Sequence, residues 1–335
     1  MSKFSIIITF SIQNDYLLEN LHHINQQTFN DFEVILISEN QISLDTSKYN
    51  FTLKILKSIQ IFPGIKRHEA AKKANSEYLC FIDDDAYPNP NWLKDLNAEI
   101  LENNYSCIGG PAIDIFSEKN IGSLFSFTYK CKYIGGFPER YLQLYPKREV
   151  EDWPSVNLTI KKRLYDKSSG FNHKIWPGED TLLCNELNEK LNSKINYIPH
   201  IYVNHHRRTT FKKHVKQIIG YAKTRGVFFM SKIKNSRNIK FAIPSIFLVY
   251  IINITVFLII KPNIVFEYSK LIFFPLILYF MINLTATMLS NYQQKNNFFY
   301  NFVHIGVNFI NHILYGFGFL KGVLRYAFNN NHYKK

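Results

Sequence analysis

Acidic residues are missing from one whole stretch of this 335-residue chain. Between His205 and Lys240 there are eleven Lys and Arg and no Asp or Glu. The formal net charge is +14, so the remainder nets only 14 − 11 = +3. A basic block can serve nucleic acid or anionic lipid. The residues that follow decide, because they lack charge altogether. Phe241 to Ile260 is twenty uncharged residues, and Leu271 to Leu289 is nineteen more. At ~1.5 Å per residue the first run reaches about 30 Å, the hydrocarbon thickness of a bilayer. The basic block is therefore juxtamembrane, with anionic lipid as its expected partner and no nucleic acid. Cysteine is scarce too: Cys80, Cys107, Cys131 and Cys184 are scattered, with no Cys-x-x-Cys pair and no zinc-site spacing. They read as reduced thiols, which excludes a disulfide-stapled fold. Met1-Ser2-Lys3-Phe4 runs straight into a strand-like segment, and no cleavable signal peptide is expected.

What is present in the first ~115 residues is alternation. Phe4–Phe10, Phe32–Ile37, Leu53–Ile61, Glu77–Ile82 and Cys107–Ile115 read as strands. Tyr16–Gln27, Lys66–Ala74 and Trp92–Glu102 read as helices between them. Such alternation predicts a doubly wound, Rossmann-like α/β sheet, with ligands bound beyond the carboxyl ends of the strands. At one such end stand three consecutive carboxylates, Asp83-Asp84-Asp85. Packed like charges repel, and each is costly to dry out unpaired. A divalent cation such as Mg²⁺ or Mn²⁺ would relieve them, and such ions commonly bridge carboxylates to a diphosphate. The alternative is a solvated acidic turn.

Further along, 116–150 is irregular and aromatic-rich and is assigned to the acceptor side. Val156–Ile160 and Asn196–Val203 read as strands, and Trp176-Pro177-Gly178-Glu179-Asp180 leads into a helix, Thr181–Leu191. Phe211–Ala222 is amphipathic, with Phe211, Val215, Ile218, Ile219 and Ala222 on one stripe. It is expected to lie on a membrane surface, the alternative being packing on the catalytic domain. A third apolar run, Phe298–Leu320, carries Asn301, His304, Asn308, Asn311, His312 and Tyr315 on one face, continued by Gly318, Gly322 and Arg325. Either that face packs on protein or the helix lies in the interface.

In these elements the first ~230 residues resemble family 2 glycosyltransferases of the GT-A fold, of a membrane-associated, bacterial type. Phe4-Ser5-Ile6-Ile7-Ile8 resembles the family's first strand, Gln26-Gln27-Thr28-Phe29 its Asn-Gln-Thr-Tyr turn, and Phe32–Ile37 its second strand. Phe81-Ile82-Asp83-Asp84-Asp85 followed by Pro88-Asn89-Pro90-Asn91-Trp92-Leu93 is similar to its metal-binding motif. Asn157, Gly170-Phe171 and Gly178-Glu179-Asp180-Thr181 resemble its later regions. The resemblance implies a metal held by Asp85, with Asp83 on the metal or the ribose and Asp84 on the nucleotide side. It implies Asp180 as base, with Glu179 supporting it or placing the acceptor; the alternative is that both merely favour a helix N-terminus. It implies donor contact from Arg67 and base contact from Glu39, and it makes His205 a metal or diphosphate ligand. His206 beside it leaves that last assignment ambiguous.

The chain departs from the pattern at Thr9-Phe10-Ser11-Ile12, where Pro-Thr-Tyr-Asn is usual, and at Ser38-Glu39-Asn40, where Asp-Asp-Gly-Ser is usual. The donor is therefore left open among UDP-, dTDP- and GDP-sugars. The Gln-x-x-Arg-Trp of processive synthases is absent, Gln217-Ile218-Ile219-Gly220-Tyr221 standing instead. The Asp-Leu-Gln-His-like run of polyprenyl-phosphate sugar synthases is also missing. What remains is a metal-dependent, inverting transfer of one sugar to a lipid-linked or glycan acceptor in polysaccharide assembly. The alternative is a membrane-tethered scaffold with a degenerate transferase domain.

The expected layout is a GT-A domain over 1–230 and a membrane domain over 241–335. The first divides into a nucleotide half 1–115, an acceptor half 116–205 and a basic helix 206–230. The second has spans at 241–260 and 271–289 and a helix at 298–320 that is interfacial, re-entrant or spanning. The catalytic domain is placed at the cytoplasmic face of the inner membrane. Three spans would put Lys321, Arg325, Lys334 and Lys335 outside, against the positive-inside rule, so two spans are preferred. A cysteine placed in the tail should then resist a membrane-impermeant reagent applied from outside; labelling there overturns the two-span arrangement.

Overall fold

The computed structural model describes residues 1–115, 121–208, 210–294 and 299–328. It forms two compact units, Met1–Ser117 with Glu139–His206, and Glu118–Pro138 with Arg207–Lys335. The chain thus passes between units three times, at 117/118, 138/139 and 206/207. These divisions do not follow the hydropathy boundary: a piece of the acceptor region and the basic helix both fall in the helical unit.

The first unit begins β1 (Ser2–Thr9), α1 (Asp15–Asn25), β2 (Phe32–Ser38), β3 (Thr52–Lys57), α2 (Pro63–Lys73) and β4 (Ser76–Asp83). It continues β5 (Ala86–Pro88), α3 (Trp92–Asn103), β6 (Cys107–Gly109) and β7 (Ala112–Asp114). The chain crosses into the second unit for α4 (Ile121–Lys130) and returns with β8 (Arg148–Val150), β9 (Asn157–Lys161) and α5 (Lys162–Tyr165). The unit ends with α6 (Glu179–Glu189), β10 (Ile195–Tyr197) and β11 (Val203–His205).

Eight strands form one mixed sheet in the order β3-β2-β1-β4-β9-β6-β10-β8. The strands β3, β2, β1 and β4 are parallel, and β9 is antiparallel to both its neighbours. Alternation along β1 separates two cores. Ile6 and Ile8 pack with Leu17, Leu21, Trp92 and Leu96, while Ile7 packs with Ala70, Ala71, Leu183 and Leu187. Helices α1 and α3 thus cover one face and α2 and α6 the other, as a doubly wound sheet requires.

The two late strands expected to be continuous are each broken. Cys107–Ile115 divides at Gly109-Gly110-Pro111 into β6 and β7, and the run ending at Val203 divides around Pro199 into β10 and β11. Proline cannot donate to the ladder, and the bend at Gly110 brings its Cα so near the Ile201 carbonyl that a Cβ would sit 1.6 Å from the oxygen. The detached pieces pair in parallel and, with β5, make a second sheet of order β5-β11-β7. Its register sets His205 against Ala86, the residue after the acidic triplet.

The helical unit contains α4, α7 (Phe211–Met230), α8 (Ile243–Ile260), α9 (Pro262–Glu267), α10 (Ser269–Gln293) and α11 (Tyr300–Phe328). By length and composition α8, α10 and α11 could each cross a membrane. Much of α8 and α10 is outward-facing apolar surface, for example Ile246, Val249, Leu271 and Phe274.

The polar face of α11 packs on protein. Asn308 accepts from Thr128 Oγ1 at 2.7 Å and donates to Asn283 Oδ1 at 2.9 Å and Thr287 Oγ1 at 3.0 Å. Asn311 donates to the Phe125 carbonyl and lies 2.8 Å from His214 Nε2. Of the α7 stripe expected on a membrane surface, Ile218 and Ala222 are buried and Val215 and Ile219 half-buried as α7 packs along α11, while Phe211 stays exposed. Glycine makes this possible: a Cβ on Gly322 would lie 2.0 Å from the Lys223 carbonyl oxygen, and one on Gly226 2.3 Å from that of Phe319. Of the tail charges, Lys334 and Lys335 lie outside the described residues. Gly322→Ala should wedge α7 from α11 and cost about 1–3 kcal/mol, as overpacking does; thermal unfolding in detergent reads the loss.

Candidate active site

Four parallel strands deliver their carboxyl ends to one edge, and Thr9 of β1 stands in register with Asp83 of β4. Beyond that edge α2 presents two adjacent cations inward. Lys66, 1% exposed, donates to the Phe10 carbonyl at 2.7 Å and pairs with Glu39 just past β2. Arg67 donates from Nη2 to Asp83 Oδ1 at 2.6 Å and from Nη1 to Glu179 Oε1 at 2.9 Å. The expected residues Glu39, Arg67, Asp83 and Glu179 are therefore linked through one helix turn. Burial works against ionisation of Glu39, but Lys66 and the Ser11 hydroxyl hold it below its ordinary range.

Asp84 and Asp85 occupy the turn between β4 and β5. The β5–β11 register carries His205 to this turn, where its Nε2 is 3.2 Å from Asp85 Oδ1. One ligand atom each from Asp83, Asp85 and His205 falls within a 4.8 Å cluster. The two neighbouring histidines have different partners. His206 turns the other way, with Nε2 2.7 Å from Glu19 Oε2 and its ring 4.3 Å from Tyr16, while its backbone N–H donates to the Asp85 carbonyl.

Helix α6 starts after Gly178, whose φ of 118° lies in the region that favours glycine. Its first residues are Glu179 and Asp180, so both also face the positive end of the helix dipole. Glu179 is buried; burial pushes its carboxyl up, and Arg67 opposes this. Asp180 is half-buried, and its Oδ1 accepts from Thr181 N–H at 2.8 Å. Burial, then the charges of Glu179 and Asp152, raise its pKa to about 7, against the pull of Thr181 N–H and Arg140. A carboxyl poised there is suited to proton transfer near neutral pH.

Lys66, Arg140 and Asp152 belong to this neighbourhood and went unnoticed in the sequence. Lys66 carried a usable signal: a lysine next to Arg67 at the start of a helix following a strand edge. Asn157, matched by the resemblance alone, bonds to the Pro111 and Ile201 carbonyls and accepts from Trp92 Nε1, clamping the two strand breaks that aim His205.

The cluster fits a divalent cation by its donor chemistry. Its two carboxylates suit Mn²⁺ or Mg²⁺.

A parallel-rich mixed sheet with an Asp-x-Asp at the end of β4 and a late acidic pair at the start of α6 is a GT-A arrangement. Residues 5–154 match the family model described as Glycosyl transferase family 2, so this N-terminal segment is similar to that family. Over 111 residues it is 33% identical to the poly(ribitol-phosphate) beta-N-acetylglucosaminyltransferase TarS of Staphylococcus aureus, covering 30% of this chain and 19% of that protein. The chain thus spans about a fifth of the length of the curated relatives it matches. Among solved structures, S. aureus TarS 1–349 with UDP-GlcNAc aligns over 67% of this chain and 66% of that one, at 20% identity and TM-score 0.45. GalNAc-T7 with UDP, GalNAc and Mn2+ aligns over 71% of this chain and 51% of that one, at 14% identity and TM-score 0.50, a likeness of fold.

Arg67→Met removes the shared partner of Asp83 and Glu179 and should cost about 3–5 kcal/mol near pH 8. Without the cation Glu179 is held protonated in the fold to higher pH than in the unfolded chain. The deficit should therefore narrow as pH falls, which denaturant unfolding at two pH values checks.

Proposed function

We propose that the chain is a metal-dependent, inverting glycosyltransferase that moves one sugar from a nucleotide-sugar donor to a glycan acceptor at a membrane. The observation that carries this reading is the convergence of Asp83, Asp85 and His205, joined through the Arg67 bridge to Glu179, the neighbour of Asp180. Asp83, Asp85 and His205 would hold the cation. When bound, it supplies Lewis-acid neutralisation of the charge that grows on the departing diphosphate.

The remaining steps belong to side chains. Asp180 accepts the proton of the acceptor hydroxyl as that oxygen bonds to the anomeric carbon. The bond from that carbon to the diphosphate oxygen breaks on the opposite face, its electron pair leaving with the nucleotide. Glu179, held by Arg67, keeps the first turn of α6 in place. Glu39, fixed by Lys66, is the candidate contact for the nucleotide base, and the donor stays open among UDP-, dTDP- and GDP-sugars.

The local identity to a poly(ribitol-phosphate) glycosyltransferase supports a polymeric glycan acceptor. The three apolar helices and the basic run 207–240 support an acceptor that is lipid-linked, beside anionic lipid on the cytoplasmic side of the inner membrane. A non-catalytic scaffold would leave the site's charge arrangement without a use.

A hydrolysis screen of UDP-, dTDP- and GDP-sugars with Mn²⁺ or Mg²⁺ tests the reading. Turnover should need the metal, and its acid limb should fall near pH 7, rising with pH as Asp180 loses its proton. Asp180→Asn should lower the rate roughly 10²- to 10⁴-fold while donor binding persists. Asp85→Asn should weaken metal-dependent donor binding. Absence of any nucleotide-sugar binding favours the scaffold.

A further inference from the structure

Beside α6 lies a second arginine–carboxylate pair that the steps above do not use. Arg140 donates from Nη2 to the Asp152 backbone carbonyl at 2.9 Å and lies 3.4 Å from its Oδ2. Both side chains are largely enclosed, at 17% and 12% exposure. The two oxygens of Asp152 accept from the Thr181 hydroxyl at 3.2 and 3.3 Å. The N–H of the same threonine donates to Asp180 Oδ1 at 2.8 Å. A continuous path therefore runs Arg140, Asp152, Thr181, Asp180.

We propose that Asp152 is a positioning residue that holds Asp180 as the proton acceptor, with Arg140 as its counterweight. This rests on the reading of Asp180 as the base. Asp152 acts in two ways. It fixes Thr181, and with it the N–H that orients Asp180. It also brings a like charge to Asp180, which favours the form that has taken up a proton. Arg140 faces the same group and does the reverse. The charged and titratable groups around Asp180 are Glu179 and Cys184 on its own helix, Asp152 and Arg140 before β9, and Arg67 on α2. Asp152 and Arg140 stand outside the proposed metal and donor contacts, so their effects can be separated from cation binding.

The test uses the full chain in detergent, with water as acceptor and the nucleotide sugar selected by the hydrolysis screen. Asp152→Asn keeps an acceptor for the Thr181 hydroxyl but removes the charge. The acid limb of kcat/KM should move down by about one pH unit. Arg140→Gln should move it up, and Arg140→Lys should return it towards the original position. A purely structural pair would lower the rate at every pH and leave the limb in place, and that result overturns the proposal. If Asp152→Asn does not fold, the opposed Arg140 variants decide alone. Full activity in Asp180→Asn would instead remove the base assignment itself. An inactive Asp180→Asn with unmoved limbs elsewhere removes only the role of Asp152.

Discussion

The guanidinium of Arg67 joins three parts of the chain that are far apart in sequence: the start of α2, the end of β4 and the first turn of α6. Its charge is shared between Asp83 and Glu179, so neither acid is left unpaired in a low-dielectric setting. Gly64, one turn earlier, is what lets α2 come this close, because a Cβ there would meet Glu179 Cγ at 3.0 Å. The neighbouring Lys66 ties the ends of β1 and β2 to the same turn. One short helix end thereby sets the spacing between the proposed cation site and the proposed base.

Much of this was legible beforehand, for physical reasons. Parallel strands buried on both faces leave continuous apolar runs, so β1, β2 and β4 stand out, and the acids that end β4 interrupt such a run abruptly. Asp85 and His205 could be named because a motif surrounds each. The resemblance also placed them on one site, but the route by which they meet could not be read, since it depends on two strand breaks and a small second sheet built from three-residue pieces. Such pieces carry no readable period. Asp152 and Arg140 were hidden for a related reason: they sit in irregular backbone, and only their partners identify them.

The helical unit shows the opposite failure. Periodicity correctly located the apolar stripe of α7 and the polar stripe of α11, yet periodicity says only that a face is distinct, not what covers it. The α7 stripe met protein because glycines on α11 admit a neighbouring backbone, a feature written in residue size and not in hydropathy. The amide of Asn308 found partners on α4 and α10 that lie 180 and 25 positions away.

The triple passage of the chain between its two units has a practical consequence for dissecting the protein. A fragment ending at 206 would include α4 but none of α7, α10 or α11. Thr128 would lose the amides of Asn308 and Asn311, and Phe127 the ring of His304 stacked on it at 3.6 Å. The helix would then present an apolar surface with nothing to cover it, a recipe for self-association. In this architecture the C-terminal helices are a folding partner for a loop of the N-terminal half, and cannot be treated as a removable tether.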